Sequence, residues 1–146
     1  MKKLALLLGV ILVLTMTLSA CGGAGGQAQT VKVGVVAELT GDIPAVGASC
    51  KNAAEMAVQE INDAGGLEIG GQKYKVELYI EDNAGKADQS ASAAQKLITQ
   101  QNVVAIIGPN ASRYAIPASE IAESSKVVLI SPWSTNPKTT LDAKTD

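Results

Sequence analysis

Two short segments of this 146-residue chain consist entirely of apolar residues, at positions 103–107 (VVAII) and 127–130 (VVLI). Strands in which every side chain is apolar are typical of parallel sheets, where helices cover both faces. Parallel neighbours need a crossover connection, which is usually a helix. The residues between the two segments, 113–125, are therefore predicted to form a helix, although Pro117 leaves the position of its first turn open.

The chain before residue 103 shows the same alternation of strand and helix patterns. Residues 31–37 form a mostly apolar run that predicts a buried strand, whereas residues 74–81 alternate apolar and polar side chains, which predicts a half-exposed strand near the sheet edge. Two helices are predicted at 45–64, ended by Gly65-Gly66, and at 87–101. Their apolar faces are predicted to carry Ala53, Ala54, Ala57, Val58 and Ile61 in the first helix, and Ala87, Ala91, Ala94 and Ile98 in the second.

This β-α-β-α-β-α-β order predicts an α/β fold: an open parallel sheet with right-handed crossovers and helices on both faces. Ligands of such sheets bind outside the carboxyl ends of the strands. The loops at that edge are predicted to begin at Glu38, Asp82, Gly108 and Ser131.

The N-terminus has the pattern of an export signal. Lys2-Lys3 precede an apolar stretch at 4–13, and Leu-Ser-Ala-Cys at 18–21 resembles the lipobox of bacterial lipoproteins, in which the cysteine receives a lipid. Residues 1–20 are therefore predicted to be a signal peptide and Cys21 the lipid anchor, followed by a flexible Gly-rich tether over 21–30. The alternative is an ordinary secretory signal with an incidental cysteine.

Composition narrows the function further. The chain has 12 basic and 14 acidic residues, two of the basic ones lie in the signal, and the rest are scattered singly, which argues against nucleic acid as a partner. It has no histidine, which excludes His-dependent triads and His metal sites. We predict no metal or other cofactor. Glu81-Asp82 would be a candidate metal pair, but Asp82 and Asn83 are more typical of a turn that leads into the next helix. Cys50, the remaining cysteine, is predicted to be a free thiol with no assigned role.

Hydroxyl side chains follow two of the predicted strands, in the loops 108–113 (GPNASR) and 131–137 (SPWSTNP). A serine at a helix start adds its hydroxyl to the free backbone N–H groups and to the positive end of the helix dipole, which favours a carboxylate ligand. Ser112 and Thr135 are therefore the candidate ligand-binding residues. Taken singly, Ser112 is better explained as a helix N-cap and Thr135 as a turn hydroxyl, because capping alone accounts for such residues.

Four segments together resemble one family in order and spacing. They are VGVVAELTG (33–41), AVQEINDAGG (57–66), IIGPNAS (106–112) and SPWSTNP (131–137), and the family is that of the substrate-binding proteins of branched-chain amino acid type ABC transporters. The resemblance covers nearly all of residues 31–140. It implies a two-lobed type I periplasmic binding protein fold, of which residues 31–146 would form an incomplete first lobe, with the second lobe absent from this chain.

The resemblance also implies roles for individual residues. The hydroxyl and main-chain N–H of Ser112, and again those of Thr135, would hold the ligand carboxylate, and the main-chain carbonyl of Trp133 would meet the ligand ammonium. Asn110 and Val46 would be flanking wall residues. Members of the family often have an aromatic residue at the position of Val46 and a small one at that of Trp133, so the apolar side of the pocket is expected to differ here. Arg113 either favours a more acidic ligand or is a solvated surface charge.

The function implied is that of a lipid-anchored receptor at the outer face of the cytoplasmic membrane, which captures an amino acid or related small carboxylate and delivers it to an ABC permease. It is a binding function and not an enzymatic one. The alternatives are a ligand-sensing module of the same fold, and a receptor for amides, urea or aromatic acids. An enzyme on a flavodoxin-like sheet is a further alternative, for which the chain supplies no base or nucleophile with a partner.

Overall fold

The computed structural model describes residues 29–140, so the predicted signal peptide, Cys21 and most of the predicted tether lie outside the described residues. The first strand begins at Gln29, two residues before the predicted start, and includes the last two residues of the predicted tether. The elements are β1 (Gln29–Ala37), α1 (Pro44–Asp63), β2 (Leu67–Ile69), β3 (Gln72–Asp82), α2 (Ala87–Lys96, continued by a π-helical turn, Leu97–Gln101), β4 (Ala105–Ile107), α3 (Ser112–Ser124), β5 (Val128–Ile130) and a short 3-10 turn, Pro137–Thr139.

The strands form one five-stranded sheet in the order β2-β3-β1-β4-β5. The pairs β1–β3, β1–β4 and β4–β5 are parallel, which confirms the predicted open parallel sheet, and β3 lies next to the edge as predicted. The sequence pattern did not predict β2, which pairs antiparallel with β3. Gly70 and Gly71, both with positive φ, connect these two strands in a tight turn, and three residues are too few to show a strand period.

Helices cover both faces of the sheet, as predicted. Neighbouring residues of β1 point to opposite sides: Val36 packs with Leu97, Ile106 and Ala118 under α2 and α3, whereas Val35 packs with Ala54 under α1. The helix α1 therefore lies on one face, over β1 and β3, and the other two helices lie on the opposite face. No helix within residues 29–140 is long and apolar enough to cross a membrane.

The predicted apolar faces of two helices were only partly correct. In α1, Ala54 is buried and Val58 and Ile61 are half-buried, but Ala53 and Ala57 are exposed. In α2 the buried residues are Ser90, Ala93 and Ala94, whereas Ala87 is exposed and Ala91 and Ile98 are half-buried. Alanine occurs on every side of these helices, so its spacing does not determine which side meets the sheet.

The prediction that both wholly apolar strands are buried on both faces was wrong for β5. Val128 and Ile130 are 60% and 63% exposed, while Leu129 between them packs on the cluster under α3. The reason is position: β5 is the edge strand of the described sheet, and α1 contacts β1 and β3 on the face that carries Val128 and Ile130.

Candidate functional site

The four loops predicted at the carboxyl ends of the strands lie at one edge of the sheet and are joined by hydrogen bonds. The loop after β1 contacts the loop after β3 through Asp82 and the loop after β4 through Glu38. The loop after β5 contacts the loop after β4 through Ser131, whose hydroxyl donates to the carbonyl of Pro109 at 2.5 Å. Each of the four loops at this edge is therefore held in place by hydrogen bonds to a neighbouring loop.

Glu38 is fully buried and joins the first and third loops. Its Oε1 accepts the backbone N–H groups of Asn110 at 3.0 Å and Ala111 at 3.2 Å, and its Oε2 accepts the Asn110 side-chain amide at 2.6 Å. These donors lie at the start of α3, where the helix dipole favours a negative charge. The carboxylate thereby determines where the first turn of α3 begins, and with it the position of Ser112.

Two close backbone approaches pack the loops tightly. Gly108 has a φ of +84°, and a Cβ there would overlap the carbonyl oxygen of Val36. Its N–H donates to the carbonyl of Ile130 at 2.8 Å, which ties β4 to β5 just before the loop. In α1, a Cβ on Gly47 would overlap the backbone of Glu38, so only glycine allows the helix to begin this close to the sheet edge.

Asp82 holds the loop after β1. Its Oδ1 accepts from the backbone N–H groups of Leu39 at 3.0 Å, Thr40 at 3.2 Å and Ala84 at 2.8 Å, and its Oδ2 accepts the Thr40 hydroxyl at 2.6 Å. The Ala84 bond confirms the predicted turn at Asp82-Asn83. Desolvation alone would raise the pKa of Asp82, but the hydrogen bond from Thr40 and those from the three N–H groups outweigh it and lower the pKa below 3.8.

This arrangement predicts a loss of stability in acid. Because the folded pKa of Asp82 is below the unfolded value, its stabilisation is complete above the unfolded pKa and is lost as the pH falls through the folded pKa. The free energy of unfolding is therefore expected to fall below about pH 4. Asp82→Asn should reduce that fall, as measured by urea denaturation between about pH 3 and pH 7. Asp63→Asn, at the exposed end of α1, should leave the fall unchanged; equal slopes in all three proteins would contradict the assignment.

Ser112 is the first residue of α3, and the residue in the N-cap position is Ala111, which has extended backbone angles. The Ser112 hydroxyl oxygen does not cap the helix but turns to the loop after β5. It accepts from the Ser134 hydroxyl at 3.0 Å and from the backbone N–H groups of Thr135 and Asn136, both at 3.3 Å. A hydroxyl has two acceptor lone pairs and one proton, so the three donors share two lone pairs and the Ser112 proton takes no part in these bonds.

The structure thus brings Ser112 and Thr135, the two main candidate ligand-binding residues, into direct contact. Thr135 is exposed, and its N–H meets Ser112 across the gap between the third and fourth loops. Ser134, which was not predicted, holds this contact because its hydroxyl also bonds Thr139 at 2.5 Å. Beside it lies an open groove of about 380 Å³. The groove is lined by Leu129, Ile130, Ser131, Ser134, Thr135, Asn136, Pro137, Thr139 and Thr140.

The remaining candidates lie in different surroundings. Trp133 is exposed in the loop after β5, two residues before Thr135. Asn110 is buried and its side chain is bound to Glu38, so it shapes the third loop from beneath and its amide does not face an open wall. Val46 is half-buried in the first turn of α1. Cys50, further along α1, is a free, half-buried thiol whose pKa is raised by burial and by the charge of Glu38.

Arg113 forms an ion pair with Asp42, in the loop between β1 and α1, and stacks on the ring of Tyr114. The Tyr114 hydroxyl donates to Asp42 at 2.9 Å. The hydrogen bond from Tyr114 and the charge and hydrogen bond of Arg113 lower the pKa of Asp42, against an opposing effect of desolvation. Of the two expectations from the sequence, the structure agrees with a solvated charge on the helix surface, because the Arg113 side chain is 56% exposed, and it adds Asp42 as the partner of that charge.

Three residues of this edge had no predicted role: Glu38, Asp42 and Ser134. Glu38 was recognised only as the start of a loop, although a glutamate directly after an apolar run of 31–37 indicates a carboxylate at the buried end of a strand. No sequence signal links Asp42 to Arg113, because they are 71 residues apart. Among residues 29–140, no group of three or more Cys, Asp and Glu side chains is arranged to hold a metal ion.

The parallel sheet with helices on both faces matches the type I periplasmic binding protein fold. The chain belongs to the periplasmic binding protein family, whose sequence profile matches residues 30–143. The Leu/Ile/Val-binding protein BraC3 of Rhizobium johnstonii is 38% identical over 110 residues, which is 75% of this chain and 29% of that protein.

Solved structures agree with this assignment. The substrate-binding protein LivJ of the branched-chain amino acid transporter of Streptococcus pneumoniae, in complex with isoleucine, superposes with a TM-score of 0.71 at 36% identity, over 77% of this chain and 31% of that one. A solute-binding protein of an ABC transporter from Rhodopseudomonas palustris, in complex with 3,4-dihydroxybenzoic acid, superposes with a TM-score of 0.66 at 27% identity. The match covers 76% of this chain and 29% of that one. The chain spans about 30% of the length of the relatives it matches.

Proposed function

We propose that this chain supplies one wall of an extracytoplasmic solute receptor, which binds an amino acid between two lobes and delivers it to an ABC permease. The observation that carries the proposal is the contact between Ser112 and the Thr135 N–H, at the start of α3. Two hydroxyl residues from different loops converge there on a point that is also the positive end of a helix. This is a site for a carboxylate.

A carboxylate can be held at this point without a lysine. Hydrogen bonds to a charged group contribute about 1.5–3 kcal/mol each, so the Ser112 O–H, the Thr135 hydroxyl and the N–H groups of the first turn of α3 offset much of the cost of desolvating one carboxylate. Of the backbone N–H groups at this helix start, the buried Glu38 accepts those of Asn110 and Ala111. The N–H groups of Ser112 and Arg113, next along the helix, point the same way as ligand donors.

The comparisons support an amino acid as the ligand. BraC3 is named for Leu, Ile and Val, and LivJ was solved with isoleucine. The receptor from Rhodopseudomonas palustris was solved with an aromatic acid, which also carries one carboxylate. The carboxylate site proposed here is common to both ligand classes, and the exposed Trp133 and half-buried Val46 are the side chains whose size would select between them.

The first test is a ligand screen on the product of the complete reading frame that contains this chain. Calorimetric titration with leucine, isoleucine, valine and 3,4-dihydroxybenzoate should show saturable binding of at least one of them. Ser112→Ala should weaken that binding by about 10- to 100-fold, because one hydrogen bond to a charged carboxylate is lost. Function here is closure of two lobes on the ligand and not turnover.

A matched control is available on the same helix. The Ser119 hydroxyl bonds the carbonyl of Ile116 within α3, one helical turn and more from the sheet edge. Ser119→Ala should leave the affinity unchanged. Failure of the wild-type product to bind any amino acid, amide, urea or aromatic acid would overturn the proposed function, and equal affinities of the two variants would overturn the role of Ser112.

We further propose that lipid on Cys21 anchors the receptor to the outer face of the cytoplasmic membrane. Each buried methylene contributes about 0.8 kcal/mol, so several acyl chains on one residue hold a protein firmly to a bilayer. Cys21→Ser is expected to move the protein from the membrane fraction to the soluble exported fraction and to abolish incorporation of radiolabelled palmitate. Cys50→Ser should change neither, and membrane retention of the Cys21 variant would contradict a lipid anchor.

A further inference from the structure

The ion pair between Asp42 and Arg113 crosses the carboxyl edge of the sheet. Asp42 lies in the loop that leads into α1, and Arg113 lies in the first turn of α3. Because α1 and α3 pack on opposite faces of the sheet, a contact between their starting loops passes over the edge itself. That edge also carries Ser112, the residue directly before Arg113.

Asp42 is held in place by more than the guanidinium. One carboxylate oxygen is bound by Arg113 and the other accepts the Tyr114 hydroxyl at 2.9 Å, while the guanidinium stacks on the Tyr114 ring at 4.5 Å from its centre. The ring of Tyr114 is itself buried, which makes it a rigid support. The side chains of Arg113 and Asp42 are nevertheless 56% and 51% exposed, so both are accessible from solvent.

We propose that Asp42 is a specificity-determining residue, which neutralises Arg113 and so restricts the site to ligands with a single carboxylate. This inference rests on the function proposed above. A ligand with a second carboxylate would find the nearest guanidinium already paired and would meet the like charge of Asp42. A ligand with one carboxylate needs only the Ser112 and Thr135 donors, so its affinity does not depend on a free Arg113 guanidinium.

The test compares two probes, L-leucine and L-glutamate, on the product of the complete reading frame by calorimetric titration. Asp42→Asn keeps the size of the side chain and an oxygen for the Tyr114 hydroxyl, but leaves Arg113 without its counter-ion. The ratio of glutamate affinity to leucine affinity is expected to rise about tenfold, as for one new charge-assisted hydrogen bond. The double variant Asp42→Asn/Arg113→Gln should return the ratio to the wild-type value, because the gain depends on the unpaired guanidinium.

A control separates this local effect from a change of net charge. Glu123→Gln removes one negative charge at the exposed C-terminal end of α3, ten residues from Arg113 and so about 15 Å away along the helix. It should leave the ratio unchanged. Two results would contradict the role of Asp42 and leave the receptor function intact. In the first, the wild type binds leucine and Asp42→Asn does not change the ratio of glutamate affinity to leucine affinity. In the second, the double variant keeps the raised ratio. If neither the wild type nor any variant binds either probe or any ligand of the screen above, both fall.

Discussion

Replacing Glu38 with alanine is expected to lower the free energy of unfolding by about 3–5 kcal/mol. The change leaves three donors without their acceptor: the N–H and the side-chain amide of Asn110, which are buried, and the N–H of Ala111, which is half-buried. Each buried donor without a partner costs about 1–3 kcal/mol. The measurement is urea denaturation of the full chain, followed by circular dichroism.

Two variants make the result specific to the buried carboxylate. Glu120→Ala removes an exposed glutamate from α3 and is expected to change the free energy of unfolding by less than about 0.5 kcal/mol. Glu38→Gln keeps the volume and one acceptor oxygen, so its cost should lie between those of the two alanine variants. A loss of less than about 1 kcal/mol for Glu38→Ala would show that the carboxylate does not hold the start of α3.

Replacing Gly108 with alanine is expected to have a comparably large effect, for steric reasons. Gly108 has positive φ, and the added Cβ would overlap the carbonyl oxygen of Val36 in the neighbouring strand. The left-handed backbone alone costs a residue with a Cβ about 1–2 kcal/mol. Relief of the overlap would require β1 and β4 to separate, so the total cost is expected to exceed about 3 kcal/mol.

Gly65→Ala is the matched control, because Gly65 has a φ of +98° and no atom within 4 Å of the added Cβ. Gly65→Ala places a side chain on a left-handed backbone without any overlap. The difference in the free energy of unfolding between the two variants therefore measures the overlap between the added Cβ at Gly108 and the Val36 carbonyl. Equal losses in the two variants would show that the contact between Gly108 and β1 is not tight. Because Gly108 opens the loop to Ser112, its variant should also weaken ligand binding in the complete product, whereas Gly65→Ala should not.

The site works through loops that a rigid sheet positions. The carboxylate of Glu38 settles the start of α3, Gly108 sets the distance between β1 and β4, and Asp82 holds the loop that carries Asp42. Each of these contacts joins residues far apart in the chain. The proposed ligand donors, the half-buried Ser112 and the exposed Thr135, lie at the end of this arrangement.

The order of elements could be predicted because periodicity is a local property. Helices at 45–64 and 87–101, and strands at 31–37 and 74–81, appear within a few residues of their predicted limits. The parallel sheet followed from short apolar strands separated by helices, and the position of the ligand edge followed from the sheet. Ser112 and Thr135 were predicted as ligand-binding residues because both follow a strand in such a fold, and the structure places them in contact.

Predictions that depended on neighbours were less accurate. The turn at Gly70-Gly71 creates the strand β2, whose three residues carry no period, and the faces of α1 and α2 depend on which alanines meet the sheet. The apolar strand β5 was predicted to be buried on both faces, but its burial depends on what lies beside it. The helix faces and the burial of β5 are not encoded within one segment, whereas the hairpin at Gly70-Gly71 is local and its turn glycines are visible in the sequence.

The sequence by itself determined the fold class, the family and the position of two hydroxyl residues after neighbouring strands, because hydrophobic period and motif spacing act over short stretches of chain. Only the tertiary structure decided the contacts at that edge. Glu38 and Asn110 are 72 residues apart, and Asp42 and Arg113 are 71 apart, yet both pairs meet where parallel strands end together. The physical reason is that hydrogen bonds and ion pairs depend on distance in space, which the sheet creates and the order of residues does not show.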